Sequence, residues 1–173
     1  MMTLAEVPPA IEMFLDANIF GYDFSGPTPL TPACSALLRR IEEGDLTGDT
    51  SLIVVVEVLH RLMIIEATAV LQVETRPAVR YLKEYPVEAR QLIGHMVVPE
   101  KIRTTGVLIL LPTVEDVLAS REHKMSVRFL TNDALNLAVM RRHHLSHIAT
   151  NDPDFQRVAS PQIWRPSPLP PSA

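Results

Sequence analysis

The sequence predicts an α/β fold in which helices are in the majority and a parallel sheet is covered on both faces. Three observations carry this. Short apolar runs at residues 13–15, 107–111 and 147–149 alternate with longer stretches of helical periodicity, the order that builds strand–helix–strand units. The first run stops abruptly at Asp16 and the second at Pro112, as buried strands do where they leave a sheet. Apolar residues make up 47% of the chain and charged residues 21%, which suits a folded domain rather than a disordered one. At 173 residues the chain can bury one substantial core and is too short for two ordinary domains. One domain is expected over residues 1–160, with a helical insertion at about 74–105 and a proline-rich tail over 161–173.

Taken in order, residues 1–11 lead into the first strand. Residues 31–43 place Cys34, Leu37, Leu38 and Ile41 on a helical stripe that Gly44 ends. Thr50 and Ser51 can cap a helix running from Ile53 towards Thr68, with the short stretch before it read as a strand edge. Glu57 and His60 then share one helix face. From Glu74 to Arg103, Pro77, Pro86 and Pro99 punctuate pieces of helical spacing, which predicts short helices joined by turns. Thr113 caps a helix through Val117, Leu118 and Arg121. Thr131 or Asn132 caps another from Asp133 to about His143, before the strand at 147–149. Residues 165–173 are mostly proline and serine and read as an extended, mobile tail.

Composition excludes several function classes. The single cysteine, Cys34, can form no internal disulfide and offers no metal-ligand spacing. No signal-like segment opens the chain, so a cytoplasmic location is expected. Residues 52–73 are the most apolar stretch, but Glu57, His60, Arg61 and Glu66 interrupt it, so it is read as core and not as a membrane span. A net charge of −4 argues against binding nucleic acid through a broad basic surface. Any phosphate contact must be local.

The chemistry-bearing residues are acids. Ligands of open α/β sheets bind beyond the carboxyl ends of the strands, where Asp16, Asp152 and Asp154 fall, and Asp133 opens a helix that can approach the same edge. Glu57 stands among Val54, Val55, Val56, Val58 and Leu59, where a carboxylate is costly unless paired or bound to a metal. Carboxylates gathered without matching lysines or arginines repel one another, and hard cations such as Mg²⁺ or Mn²⁺ relieve that repulsion. Phosphodiester hydrolysis uses such sites without a protein nucleophile.

The segments Phe14-Leu15-Asp16-Ala17-Asn18-Ile19-Phe20, Val55-Val56-Glu57-Val58-Leu59, Thr131-Asn132-Asp133-Ala134-Leu135 and Ala149-Thr150-Asn151-Asp152-Pro153-Asp154-Phe155 resemble the PIN-domain ribonucleases. Within them the resemblance is to the VapC-like toxins of toxin–antitoxin pairs. It implies an α/β/α sandwich around a parallel sheet, Mg²⁺- or Mn²⁺-dependent endoribonuclease activity, a homodimer, and a small antitoxin that covers the site. Asp16, Glu57 and Asp133 match the family's first three acids, and Asn18 matches the Asn that follows the first. The fourth acid is Asp152 or Asp154, with Asp152 nearer the metal and Asp154 an outer or second-metal ligand. Thr150 would orient substrate or water. The long separation of Glu57 from Asp133 departs from a compact toxin and bears on the toxin assignment more than on the nuclease one.

Other features have plainer readings. Arg141-Arg142-His143-His144 suits a solvated helix end, with a phosphate-guiding patch that includes Arg141 as the alternative. His143 and His147 have a zinc-like spacing only if the helix continues through them, and a turn is expected between. His60 reads as a core or supporting histidine. Two other functions compete with a nuclease. One is a catalytically silent PIN-like module that dimerises or binds RNA. The other is a phosphotransfer protein, disfavoured because Asn18 replaces the second acid of an aspartate-nucleophile phosphatase and no lysine ends a late strand.

Overall fold

The structure, a computed structural model, describes residues 2–168. Its elements in chain order are β1 (Glu12–Leu15), α1 (Ala17–Phe24), α2 (Thr31–Glu42), β2 (Thr47–Ser51), α3 (Leu52–Val70), α4 (Ala78–Glu84), α5 (Pro86–Ala89), α6 (Val98–Thr104), β3 (Leu108–Leu110), α7 (Val114–Val127), α8 (Thr131–Arg142), β4 (His147–Ala149) and β5 (Gln162–Trp164). The five strands form one sheet in the order β3-β2-β1-β4-β5, and every neighbouring pair is parallel. The helix-rich α/β fold read from the sequence is therefore the fold observed.

Met13, Phe14 and Leu15 of β1 are fully buried, as a central strand covered on both faces requires. One face is set by Gly48 of β2, where an added Cβ would lie 2.7 Å from Ile41 Cδ1 of α2. Three residues on, the pleat turns Ser51 to the other face, where its hydroxyl donates to Asn136 Oδ1 of α8 at 2.6 Å. Helices thus cover both faces. From β1 the chain adds β2 and β3 on one side, then β4 and β5 on the other. The carboxyl ends of β1 and β4 border the point where the strand order reverses, the usual ligand crevice of such sheets.

Several expectations need correction. The stretch before α3, read as a strand edge, is β2, a strand paired on both sides between β1 and β3. It contains no large apolar residue, and hydrogen bonds anchor it instead, including Thr50 Oγ1 donating to the Leu15 carbonyl at 2.8 Å. The cap of α8 is Leu130, with no side-chain cap bond, and not Thr131 or Asn132; Asn132 reaches across to Glu57. The tail expected from residue 161 starts later, because Gln162–Trp164 pair with β4 as β5 and Trp164 is buried. Arg165, expected in that tail, bridges to Thr3. Residues 169–173 lie outside the described residues.

Thr113 caps α7 through a capping box with Asp116. Arg142 of α8 donates to both Asp116 oxygens at 2.9 and 3.1 Å, pinning the two helices. Residues 74–105 contain α4, α5 and α6. Ala78, Leu82 and Leu92 there pack with Ile64 and Ala67 of α3 as a small core of their own. Among the described residues no helix is long and apolar enough to cross a membrane.

Candidate active site

Asp16 is the residue at which β1 passes into α1. It caps α1, with Oδ1 accepting from the Ala17 amide at 2.7 Å. Its Oδ2 accepts from Thr150 Oγ1 and from Asn18 Nδ2, each at 2.5 Å. Thr150 follows β4 and is fully buried. Its hydroxyl accepts from Asn18 Nδ2 at 3.1 Å and from the Asp152 amide at 2.9 Å. Asn18 Oδ1 accepts from the Asn151 amide at 2.9 Å. Asp152 in turn caps the short turn Pro153–Arg157, with Oδ1 accepting from the Asp154 amide at 2.8 Å. One hydrogen-bonded network therefore binds the carboxyl ends of β1 and β4, and it contains Asp16, Asn18, Thr150, Asp152 and Asp154.

Glu57 and Asp133 enter from α3 and α8. Glu57 is half-buried, with Oε2 3.4 Å from Asn132 Nδ2 and Oε1 3.3 Å from Arg61 Nη2. Its helix is not apolar-buried all round, since Val56 is 57% exposed. Asp133 is one turn before Asn136, whose bond to Ser51 ties α8 to the start of α3. Electrostatics reports the convergence. Burial pushes the Asp133 carboxyl up to about 7, helped by the negative charges of Asp16, Asp152, Glu57 and Asp154. Burial likewise raises Asp16 to about 6 against the lowering effect of Thr150 and the Ala17 amide, with Glu57 and Asp152 adding to the rise. Asp133 thus feels all four of the other predicted acids, and Asp16 feels Glu57 and Asp152.

Such a set is short of positive charge. Arg61 and Arg157 supply some of it, Arg157 Nη2 lying 2.7 Å from Asp154 Oδ1, while Asp16 and Asp133 have no cationic partner among the described residues. Hard oxygen donors in mutual repulsion suit a hard divalent cation. Among the described residues, no three His, Cys, Asp or Glu side chains already stand as a closed ligand cluster. The fit is one of donor chemistry and charge.

Of the alternatives the sequence left open, the phosphate patch for Arg141 and the core position for His60 are not met, while the solvated helix end is. Arg141 lies at the C-terminal end of α8, eight residues beyond Asp133, or about 12 Å along the helix axis. Helix N-termini face the carboxyl edge of this sheet, so Arg141 lies towards the opposite edge. His60 is exposed, not a core histidine; with Leu52, Val56, Glu57, Pro112 and Asn132 it lines an apolar concavity of about 470 Å³ that adjoins the acids. The expected break between His143 and His147 is present, since α8 ends at Arg142 and β4 begins at His147. Residues to which the sequence reading gave no role at the site include Arg61, Arg157, Ser51, Asn136 and Tyr22, whose hydroxyl accepts from Asn151 Nδ2 at 2.8 Å. Spacing carried a signal for three of them: Arg61 is four residues from Glu57, Arg157 three from Asp154, and Asn136 three from Asp133.

The fold and site define a class, an α/β protein with a carboxylate pocket at the reversal point of a parallel sheet. A family model of the PIN domain matches residues 13–161, and the chain belongs to the PIN domain family. No curated protein matches it significantly. Among solved structures, a toxin–antitoxin complex from Klebsiella pneumoniae aligns with a TM-score of 0.52 and 20% identity, covering 91% of this chain and 99% of that one. VapBC2 from Rickettsia felis, bound to a DNA fragment from its promoter, aligns at 0.57 and 14%, covering 90% and 98%. VapC20 from Mycobacterium tuberculosis, described as a sarcin–ricin loop cleaving toxin, aligns at 0.57 and 15%, covering 87% and 96%. Identities this low establish the shared fold.

Proposed function

We propose that this protein is a divalent-cation-dependent endoribonuclease and the toxin of a toxin–antitoxin pair. The observation that carries the reading is Asp133, a half-buried acid whose carboxyl is raised first by burial and further by the charges of four other acids drawn from the end of β1, α3 and the turn after β4. Membership of the PIN family supports nuclease chemistry. The similar folds from K. pneumoniae and R. felis, described as toxin–antitoxin complexes, support an antitoxin partner, and the M. tuberculosis toxin supports RNA as substrate. In this reading the chain works in the cytoplasm as a homodimer.

Asp16, Glu57, Asp133 and Asp152 would hold Mg²⁺ or Mn²⁺, with Asp154 as outer or second-ion ligand. Such an ion, when bound, would supply an acidified water and charge stabilisation for the leaving oxygen. The chain's own part is to position the acids. Thr150 and Asn18 position Asp16 by donating to Oδ2, Thr150 also favours its ionised form against the effect of burial, and Thr150 accepts from the Asp152 amide. Ser51 and Asn136 keep the Glu57 and Asp133 helices in register.

The test is cleavage of RNA by the purified chain, freed of any partner, with Mg²⁺, Mn²⁺ or a chelator. Cleavage in either cation and none in chelator is expected, with Asp16→Asn and Asp133→Asn each reducing the rate at least about 100-fold, the scale on which loss of a metal-orienting group acts. Absence of cleavage in both cations, or variants as active as the wild type, would refute the reading.

A further inference from the structure

We propose that Arg61 and Arg157 form a clamp for the phosphates of the RNA backbone, each guanidinium resting on an acid of the site until a divalent cation takes that acid over. The inference rests on the nuclease reading above. Arg61 Nη2 lies 3.3 Å from Glu57 Oε1, and Arg157 Nη2 lies 2.7 Å from Asp154 Oδ1. Among the described residues no other arginine or lysine pairs with any of the five acids. The two approach from different elements. Arg61 spans from α3 to α1, where a methyl group on Gly21 would lie 3.5 Å from its Nη1. Arg157 stands in the turn after β4 and reaches the Arg128 carbonyl at 3.5 Å.

Neither arginine is built into the core. Their side chains are 46% and 49% exposed, and half-exposed pairs within one helical turn hold weakly. Five carboxylates against two guanidiniums leave the site strongly negative. Glu57 and Asp154 would be shared with a bound divalent cation, which would supply the missing charge, and Arg61 and Arg157 would then be free to turn to another anion. A phosphodiester offers two anionic oxygens that match the guanidinium fork. The chain's net charge of −4 provides no general basic surface to do this work. The rival basic pair fails on geometry, because Arg141 lies towards the opposite edge of the sheet and Arg142 is engaged by Asp116.

The experiment compares the full-length wild type with Arg61→Gln, Arg157→Gln and their lysine counterparts, by RNA-cleavage kinetics over a range of salt and by calorimetric titration with Mn²⁺ alone. Each glutamine variant is expected to raise KM for RNA about five- to tenfold and to lower the slope of log KM on log salt by about 0.7, the value per phosphate contact on a single strand. Lysine restores the salt slope but not the full affinity. Mn²⁺ binding tightens severalfold, since a competitor for Glu57 or Asp154 is gone. A wild type that cleaves RNA beside variants of unchanged KM and salt slope would overturn the clamp alone. Weaker Mn²⁺ binding in the variants would overturn it too, by making the arginines props of the acids. A wild type that cleaves nothing removes the nuclease reading and the clamp with it.

Discussion

Asp49 lies in the middle of β2, buried, with its Oδ2 lacking any hydrogen-bond partner. Burial, with some help from the charge of Glu12, raises its carboxyl to about 6. In the unfolded chain the same group titrates near 3.9, so between these values the native state binds the extra proton. Stability from the neutral form is complete below about pH 4 and is lost as pH rises through about 6. Asp16 and Asp133 push in the same direction. Asp49→Asn is therefore expected to stabilise the protein by about 1–2 kcal/mol at pH 7.5, to gain less than half of that at pH 4.5, inside the window, and to lose the gain below about pH 4. Urea unfolding at the two pH values measures this; a wild type and variant that differ equally at both would refute it. The site acids need a different account, since under the proposed function a bound cation would relieve their repulsion, whereas no hydrogen bond among the described residues reaches Asp49 Oδ2.

The helices that carry Glu57 and Asp133 are coupled by one buried contact. Ser51 Oγ accepts from the Val54 amide at 3.2 Å as the cap of α3 and donates to Asn136 Oδ1 on α8. Ser51→Ala is expected to cost about 1–2 kcal/mol through the lost cap and the stranded amide oxygen. With Asn136→Ala, the double variant should fall short of the summed losses by about 1 kcal/mol, a coupling readable from a denaturant double-mutant cycle; strict additivity would show that the two helices are held by other contacts. How legible each element was depends on where its stability comes from. The run at 13–15 ending at Asp16 could be read because hydrophobic burial alone specifies β1. The sequence Thr47-Gly48-Asp49-Thr50-Ser51 carries no such signal, because β2 is held by hydrogen bonds to Leu15 and Asn136 and by the closeness of Ile41 to Gly48. Residues 162–164 were hidden between Pro161 and Pro166, where an edge strand tolerates proline flanks that a central one does not. The acids could be placed because strand ends and helix starts point to one edge. Arg141 could not be placed correctly without knowing which end of α8 faces that edge.

At the scale of the whole molecule, burial is divided between two cores of unequal size. The main one runs through the sheet and the helices on its faces. The smaller joins the far part of α3 to α4 and Leu92, and the side-chain hydrogen bonds that fasten the chain between α5 and α6 to α3 all converge, among the described residues, on Glu66. Glu66 accepts from the Gly94 amide at 2.7 Å, the His95 amide at 3.1 Å and His95 Nδ1 at 2.8 Å. Burial opposes the charge on Glu66, but these donors hold its carboxyl below the usual range. A small core whose polar anchorage to α3 converges on one side chain should open locally, without unfolding of the sheet. Glu66→Ala removes three acceptor bonds, so hydrogen exchange at residues 78–97 should quicken by about tenfold or more, corresponding to at least about 1.4 kcal/mol of local stability. Amides of β1 and β4, which belong to the main core and position Asp16 and Thr150, should keep their protection. Equal loss of protection in both regions would mean that the two cores unfold as one, and that the segment between α3 and β3 cannot move independently of the acid pocket.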